Sequence, residues 1–490
     1  MQVRTVKLRD CLEWLASSEI ADVVVDGITL DSRTITGGEL FVAVQGLQVD
    51  GRQFVTQAIE KGARAVFRQA DQQGIHKVGS SWIVDVPGLE QQLSGLAAKF
   101  YGRPSEAMTL VGVTGTNGKT TVSQLVAQAF HLLDKPSAVI GTAGNGVWPA
   151  LEVASHTTPD PISLQKLISD FKSEGAELVA MEVSSHGLDQ GRVSEVAFDV
   201  AVFTNLTRDH LDYHGSMDAY GEAKSQLFKK PGIKASVINL DDVFGEKLLK
   251  TLSNTISYSV LNPTADVYCR SYQLSTDGIN LSVASPWGDV TLKCPLIGLF
   301  NVSNVLAVVS VLGALNVALA DVARVVADFQ SVSGRMELLG DENTPSVIVD
   351  YAHTGDALEK ALIAIKEHCS GQLYCVFGCG GDRDRGKRAE MAEIAERLAD
   401  VVVATNDNPR TENPEQIMKD IVSGFKTPAE IKIELDREQA INWAVQQARP
   451  DDWILVAGKG HEDYQEIDGV KHPFSDVLKA KAALAEYVSK

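Results

Sequence analysis

The stretch Leu110–Val122, LVGVTGTNGKTTV, constrains this chain more than any other part of its sequence. Its apolar first half is typical of a buried strand that ends at Thr114, and an amphipathic helix is predicted to begin at Lys119. The turn between them, Gly115–Gly118, would point backbone N–H groups at an anion bound at the helix N-terminus. The spacing departs from GxxxxGK[ST], because Val113 stands six residues before the lysine. The flanking strand and helix nevertheless favour a nucleoside triphosphate site over an ordinary strand-to-helix turn.

Composition narrows the classes of function. A length of 490 residues predicts about three domains. The net charge of −19, without any run rich in Lys and Arg, disfavours nucleic acid as a partner and with it a nucleic-acid motor. No apolar stretch approaches the ~20 residues of a membrane span, and the N-terminus lacks an apolar signal core. The six cysteines form no C-x-x-C pair, so reduced thiols and a cytoplasmic location are expected.

The pattern of strands and helices divides the chain into three blocks and predicts the α/β class. Residues 1–103 combine short strands with one clear helix. Residues 104–333 repeat a strand-then-helix rhythm, which predicts a mainly parallel sheet covered on both faces. This block ends with a β-rich insertion at 255–296 and a helical stretch from about 301 to 329. Residues 334–490 restart the α/β rhythm and form the third predicted domain.

Two polar clusters follow other predicted strands of the central block. They are Glu182–Arg192 and Asn205–His214. Because ligands of an open parallel sheet bind beyond the carboxyl ends of its strands, both clusters are expected near the glycine-rich turn. Glu182 and His210 could converge with the Thr120 hydroxyl on Mg²⁺, which takes few protein ligands beside phosphate and water. For His210, a helix-capping or core histidine remains the alternative.

The third block carries four polar loops, each just after a predicted strand. They are Asp350–Asp356, Gly378–Asp384, Asp407–Arg410 and Gly458–Glu462. Each loop alone is as typical of turn chemistry as of a site. Four at the strand ends of one sheet favour a second binding face. Lys224, in a predicted helix of the central block, has by itself the pattern of a surface lysine.

The order of these motifs resembles that of one protein family, the Mur ligases, over essentially the whole chain. The motifs are TGTNGKTT (114–121), EVSSHGL (182–188), TNLTRDHLDYHG (204–215), GLFNVSN (298–304), GRME (334–337) and DYAHT (350–354). The resemblance implies an N-terminal UDP-binding domain, a central P-loop ATPase domain and a C-terminal Rossmann-like domain, with boundaries near 103/104 and 333/334. It further implies a monomeric, ADP-forming amide ligase of peptidoglycan biosynthesis that uses ATP and Mg²⁺. Its substrates would be UDP-N-acetylmuramoyl-L-alanyl-D-glutamate and meso-diaminopimelate.

The resemblance also implies roles for individual residues. ATP would be bound by Gly115, Thr116, Asn117, Gly118, Lys119, Thr120, Thr121, Asn301, Arg335 and Asp350. Mg²⁺ would be held near Thr120, Glu182, His210 and Lys224, the last as N6-carboxylysine, with Lys119, His210 and Lys224 as catalytic residues. The UDP substrate would contact Leu30, Ser32, Leu47, Gln48, Val49, His156, Thr157, Thr158, Ser184, Gln190 and Arg192. Diaminopimelate would contact Arg383, Asp407, Asn408, Pro409, Arg410, Gly458 and Glu462.

The chemistry that these residues suit is carboxylate activation. Transfer of the γ-phosphoryl group to a substrate carboxylate gives an acyl phosphate, which an amine then attacks. Asp407 and Arg410 favour diaminopimelate over lysine as the substrate. The guanidinium of Arg410 can pair with a second α-carboxylate, and the carboxylate of Asp407 can pair with the neighbouring ammonium group. The alternatives are an L-lysine-adding ligase of the same family, a P-loop phosphotransferase or nucleotide switch, and a UDP-sugar-binding protein without catalysis.

Overall fold

The fold of the protein is known from a computed structural model. It describes residues 4–46, 49–154, 156–275, 278–332, 334–341 and 343–488. The chain divides into two compact units, of which the first comprises residues 1–238 and 242–255, and the second residues 239–241 and 256–490.

The first unit begins with a small two-stranded sheet and a five-stranded sheet. Its elements are β1 (Val6–Lys7), α1 (Leu8–Cys11), β2 (Val24–Val25), β3 (Ile28–Thr29), β4 (Leu40–Ala43), α2 (Val55–Glu60), β5 (Ala65–Gln69), β6 (Gly74–Val78), β7 (Ser81–Val86) and α3 (Leu89–Tyr101). The sheet order is β3-β4-β5-β7-β6, and only β6 is antiparallel. Strand β4 is apolar throughout because both of its faces are covered: Leu40 and Val42 enter one hydrophobic cluster, Phe41 and Ala43 the other.

The same unit continues with the strands that carry the glycine-rich turn. The elements are β8 (Thr109–Thr114), α4 (Lys119–Leu132), β9 (Ser137–Gly141), β10 (Gly144–Val147), α5 (Pro161–Ser173), β11 (Leu178–Glu182), α6 (Ser185–Asp189), β12 (Val200–Phe203), α7 (Leu211–His214), α8 (Met217–Ser225), β13 (Ala235–Asn239) and α9 (Val243–Leu249). Their order is β10-β9-β11-β8-β12-β13, and all neighbours except β10 are parallel. The predicted parallel sheet is confirmed, and β8 lies between the two strands that precede the predicted polar clusters.

The second unit begins with the predicted β-rich insertion. Its elements are β14 (Thr255–Ser259), β15 (Val267–Ser275), β16 (Gly278–Ser285), β17 (Gly288–Cys294), α10 (Phe300–Ala314) and α11 (Leu319–Ala327). Strand β14 is parallel to β15, and β15, β16 and β17 are antiparallel neighbours. The helical stretch expected at about 301–329 is two helices, because the chain leaves α10 after Ala314 and Asn316 adopts a positive φ of 61°.

The remainder of the second unit forms a six-stranded sheet and a separate two-stranded sheet. Its elements are β18 (Glu337–Leu339), β19 (Ser346–Asp350), α12 (Gly355–Lys366), β20 (Leu373–Phe377), α13 (Gly386–Leu398), β21 (Val401–Ala404), α14 (Pro414–Val422), β22 (Lys432–Ile433), α15 (Arg437–Gln447), β23 (Trp453–Ala457), β24 (Tyr464–Ile467), β25 (Val470–Pro473) and α16 (Asp476–Val488). The order is β18-β19-β23-β20-β21-β22, parallel from β19 onward. The four predicted polar loops therefore leave the same edge of one sheet, as expected, and the α/β class is confirmed. The domain boundaries near 103/104 and 333/334 stay a prediction.

Two expectations from composition can be compared with the structure. No helix in the described ranges has both the length and the apolar character needed to cross a membrane. All six cysteines are free thiols, as predicted. Burial raises the pKa of the Cys375 and Cys379 thiols, so both are unreactive core side chains.

Candidate functional site

The glycine-rich turn in the first unit is shaped by glycine and held by the residues that follow β12. Gly115 has a φ of 151°, and a Cβ there would collide with the hydroxyl of Thr204. The backbone N–H of Thr116 donates to the carbonyl of Asn205 at 2.8 Å, and that of Asn117 to its side-chain oxygen at 2.9 Å. The turn is therefore pre-formed before any phosphate binds.

Two lysine side chains meet at this turn. Lys119 Nζ donates to the carbonyls of Gly115 and Thr116 at 3.0 and 2.9 Å. Lys224 Nζ, from α8, donates to the same Gly115 carbonyl at 2.8 Å and lies 4.2 Å from the ring centre of Tyr220. Lys224 is 1% exposed, so the surface-lysine alternative is wrong. Its burial holds the pKa of Lys224 well below the usual value, and the charge of Lys119 lowers it further.

Glu182 supplies a buried carboxylate one strand away from the turn. It ends β11 opposite Val113 of β8. Its Oε1 accepts from the backbone N–H of Thr142 at 2.7 Å, and its Oε2 accepts from the Thr142 hydroxyl at 3.2 Å. Gly141 permits this approach, because a Cβ there would collide with the carboxylate. The carboxylate is therefore fixed at the carboxyl edge of the sheet.

His210 lies in a group of aromatic rings beside the two lysines. Its ring centre is 4.9 Å from that of His186 and 5.9 Å from that of Tyr220. It precedes α7 with a φ of 52°, but its side chain makes no capping hydrogen bond to that helix. Burial lowers the pKa of His210, and nearby His186, Lys119 and Lys224 lower it further against the opposing effect of Asp209. A neutral imidazole at neutral pH follows.

Five residues predicted to bind the UDP substrate form one network with Glu182. The hydroxyl of Thr158 donates to the Glu182 carbonyl at 2.8 Å and accepts from the Ser184 N–H at 3.0 Å. Arg192 donates through Nη1 to the Thr158 carbonyl at 2.7 Å and through Nη2 to Gln190 Oε1 at 2.6 Å. The fifth, Thr157, has its hydroxyl 3.0 Å from that of Thr142, which holds Glu182. These contacts connect the five residues to Glu182, whose carboxylate is predicted to bind Mg²⁺.

The other residues predicted for this substrate lie apart from that network. Ser32 is buried and donates to Gln57 Oε1 at 2.6 Å, Leu30 is half-buried, and Val49 and His156 are exposed. Leu47 and Gln48 lie outside the described residues. Helix α5 begins just after Thr158, packs on α3 and β3, and inserts Ile162 into the core of the first sheet. The two groups of predicted residues therefore belong to adjoining parts of the same unit.

In the second unit, the loops after β20, β21 and β23 meet as predicted. Asn408 Nδ2 donates to Glu462 Oε2 at 2.8 Å. Arg410 Nη1 donates to the carbonyl of Gly381 at 2.8 Å, and its Nε lies 3.4 Å from Glu466 Oε2. A Cβ at Gly458 would collide with the Asp407 carboxylate, and one at Gly381 with the Pro409 carbonyl, so both loops need glycine there. Arg383 is exposed, and among the residues that the structure describes its side chain donates only to the carbonyl of Asp382, at 3.3 Å.

Three residues predicted to contact the nucleotide also lie in the second unit. Asp350 accepts from the N–H groups of Met336 and Ala352 at 2.8 and 2.9 Å. Burial raises the pKa of Asp350, and the charge of Arg335 opposes this shift. The Arg335 guanidinium stacks 4.7 Å from the ring centre of Tyr351, and its buried Nε has no hydrogen-bond partner among the residues that the structure describes. The third, Asn301, uses its amide inside the fold, donating to the Ile297 carbonyl at 2.7 Å.

Sequence reasoning missed three residues that shape these groups: Thr142, Asn205 and Lys459. Each stands at the carboxyl end of a strand, which is a signal that could have found them. Asn205 and Lys459 even lie inside motifs that the sequence singled out. Their residue types alone do not show that they hold a neighbour rather than a ligand.

The fold and these groups define a class, the α/β enzymes in which a parallel sheet with a glycine-rich strand-to-helix turn is followed along the chain by a second sheet with polar loops at its carboxyl edge. Three family models match consecutive segments: "Mur ligase family, catalytic domain" at residues 24–101, "Mur ligase middle domain" at 113–312, and "Mur ligase, glutamate ligase domain" at 334–460. The chain belongs to the Mur ligase family.

Known proteins resemble the chain over nearly its whole length. It is 50% identical to the UDP-N-acetylmuramoyl-L-alanyl-D-glutamate–2,6-diaminopimelate ligase of Ectopseudomonas mendocina, covering 97% of this chain and 98% of that protein. It is 51% identical to the protein of the same name from Pseudomonas aeruginosa, over 95% of this chain and 96% of that protein. A solved structure of a ligase of that name is 36% identical, covers 98% and 99% of the two chains, and has a TM-score of 0.74.

Proposed function

We propose that this Mur ligase joins meso-2,6-diaminopimelate to UDP-N-acetylmuramoyl-L-alanyl-D-glutamate with conversion of ATP to ADP and phosphate. The observation that carries the proposal is the pair of charged loops around Asp407–Arg410 and Gly458–Glu462, in a chain about half identical to ligases named for this reaction. A site for an amino acid with charges of both signs at its far end needs both an anion and a cation, and these loops supply both.

The residues of the first unit suit phosphoryl transfer. The N-terminus of α4 would bind the phosphates of ATP beside the turn, whose Thr116 and Asn117 N–H groups are held by Asn205. Lys119 would neutralise the β- and γ-oxygens. The γ-phosphorus–oxygen bond to ADP breaks as the substrate carboxylate oxygen bonds to phosphorus, which yields an acyl phosphate and ADP. The amine of the amino acid then attacks the acyl carbon, loses a proton and displaces phosphate. A neutral His210 beside the turn can accept that proton.

The side chains near the turn fit Mg²⁺, a hard cation that prefers oxygen ligands. The Thr120 hydroxyl at the start of α4 and the Glu182 carboxylate are such donors. No group of three His, Cys, Asp or Glu side chains gathers as a metal site within the described part of the chain, so phosphate oxygens and water would complete the coordination. The ion, when bound, neutralises negative charge on the transferred phosphoryl group.

Lys224 is suited to N-carboxylation. A lysine reacts with CO₂ only as the neutral amine, and the lowered pKa of Lys224 favours that form. The nitrogen bonds to the carbon of CO₂ as one C=O π bond opens onto oxygen, and the nitrogen loses a proton. An uncharged amine next to Lys119 thereby becomes an anion that can support the metal.

We therefore expect Lys224→Ala to lose most of its turnover and to recover part of it when short carboxylic acids are added. The added carboxylate would replace the lost anion near the metal. Steady-state rates with and without acetate or formate measure this, and ¹³C-bicarbonate labelling detects the carbamate directly. Lys229→Ala is the matched control, because Lys229 is exposed nearby and forms a surface ion pair with Glu222. Labelling that finds only a free amine at Lys224 would argue against the modification.

The test of the function is ADP release from purified enzyme given the UDP-sugar dipeptide, ATP and a panel of amino acids. We expect release that depends on both the dipeptide and meso-diaminopimelate. Release that is largest with L-lysine would indicate the lysine-adding ligase. Release without any amino acid would indicate a phosphotransferase, and binding of the UDP sugar without release would indicate a binding protein.

A further inference from the structure

A fully buried lysine lies inside the group of charged loops of the second unit. Lys459 follows β23 between Gly458 and Gly460, and its side chain is 0% exposed. Both glycines have positive φ angles, 120° and 52°, and a Cβ on either would collide with a neighbour, Asp407 or Tyr351. The turn is therefore built in a form that only glycine permits on both sides of the lysine.

The ammonium of Lys459 is bound by residues of the predicted diamino-acid site. Its Nζ donates to Asn408 Oδ1 at 2.8 Å and to Glu462 Oε2 at 3.0 Å, and it lies 3.9 Å from Asp407 Oδ1. The ring centre of Tyr464 lies 5.5 Å away. A buried cation is tolerated only when it is paired and hydrogen-bonded, and these contacts meet that requirement.

These contacts also fix the orientation of the neighbouring side chains. Asn408 Oδ1 accepts from Lys459 and from the backbone N–H of Glu466 at 2.9 Å, so its Nδ2 must face Glu462 Oε2, to which it donates at 2.8 Å. Glu462 Oε2 therefore accepts hydrogen bonds from both Lys459 and Asn408. Oε1 is the Glu462 oxygen outside these two hydrogen bonds. Without the lysine, Asp407 and Glu462 would lose the cation that lies 3.9 Å from the first carboxylate and bonds to the second at 3.0 Å. The charge of the buried Arg437 also acts on both carboxylates, but its guanidinium is already paired with Asp476 at 2.7 Å.

We propose that Lys459 is a positioning residue for the amino-acid substrate, an internal counter-ion that holds Glu462, Asn408 and Asp407 in the geometry that receives the far ammonium and carboxylate of a diamino acid. The inference rests on the proposed function, in which these loops bind meso-diaminopimelate. It assigns to Lys459 no contact with the reacting atoms. Its effect must therefore appear in the binding of one substrate and pass chiefly through Glu462, the carboxylate to which its ammonium donates at 3.0 Å.

The test is Lys459→Met, with KM measured separately for meso-diaminopimelate, ATP and the UDP-sugar dipeptide. We expect KM for meso-diaminopimelate to rise at least about tenfold, the range for removing one partner of a buried charge pair, while the other two KM values stay within about twofold. Lys471→Met is the matched control. Lys471 lies 3.9 Å from the centre of the same Tyr464 ring, but it is exposed, and its removal should change none of the three values.

A double-mutant cycle separates positioning from a general loss of structure. If Lys459 acts through Glu462, Lys459→Met combined with Glu462→Gln should raise KM for meso-diaminopimelate no more than Glu462→Gln alone. Lys459→Gln, which keeps an N–H donor for Asn408 but no charge, provides a second variant should the methionine variant fold poorly, and it should show the same selective rise. Thermal melting of each variant confirms the folded state.

An unchanged KM for meso-diaminopimelate, an equal rise in all three KM values, or additive effects in the cycle would overturn the inference. A wild-type enzyme that releases no ADP in response to meso-diaminopimelate would instead overturn the proposed function, so the two failures are distinguishable.

Discussion

Replacing Lys119 with alanine is expected to lower kcat at least about a thousandfold, because a fixed cation at a phosphoryl-transfer site supplies several kcal/mol of transition-state stabilisation at ~1.4 kcal/mol per tenfold. The structure holds this ammonium at the turn through the carbonyls of Gly115 and Thr116, next to the start of the helix that would bind the phosphates. ADP release at saturating substrates measures the effect.

The matched control for Lys119 lies beyond the other end of the same helix. Lys135 is exposed just after α4, where it lies over the Phe130 ring, and Lys135→Ala should retain the wild-type rate. Since Lys119 also bonds the turn, thermal melting should accompany the assay to show that the variant is folded. A folded Lys119→Ala enzyme with more than a tenth of the wild-type rate would contradict the assignment of the phosphate loop.

The wild-type enzyme is expected to prefer meso-diaminopimelate over L-lysine by about a hundredfold or more in kcat/KM. Lysine lacks the second α-carboxylate and would leave desolvated the N–H groups of Arg410 that would pair with it, at a cost of a few kcal/mol. The structure restrains this guanidinium, because Nη1 donates to the Gly381 carbonyl and Nε lies near Glu466. It is thereby pre-oriented for a planar carboxylate.

Arg410→Ala and Arg410→Lys should both erode this preference, since an ammonium cannot reproduce the paired N–H groups of a guanidinium. The comparison is kcat/KM for the two amino acids in each variant. Arg397→Ala serves as control, because Arg397, in the last turn of α13, forms an exposed ion pair with Glu359 of α12. Equal kcat/KM for the two amino acids in the wild type would refute the assignment.

The local elements of the fold could be predicted because their causes are local. The apolar run before Gly115 and the amphipathic stretch after Lys119 each carry their own periodicity, and the structure places β8 and α4 there. The helical stretch expected at about 301–329 is present as two helices, and apolar content alone does not show where the chain turns between them. The strand-end rule located the polar loops of both units without specifying their contacts.

By itself the sequence determined the α/β class, the position of the glycine-rich turn between strand and helix, and the identity of the family, because these depend on residue order and short-range pattern. The tertiary structure decided which polar side chains are buried together. Lys224 has the pattern of a surface lysine, yet it reaches the Gly115 carbonyl across 109 positions of the chain. Lys459 meets Asn408 across 51 positions. The pKa of a lysine and the partner of a buried charge depend on what folding brings within a few ångströms, and no local pattern records that.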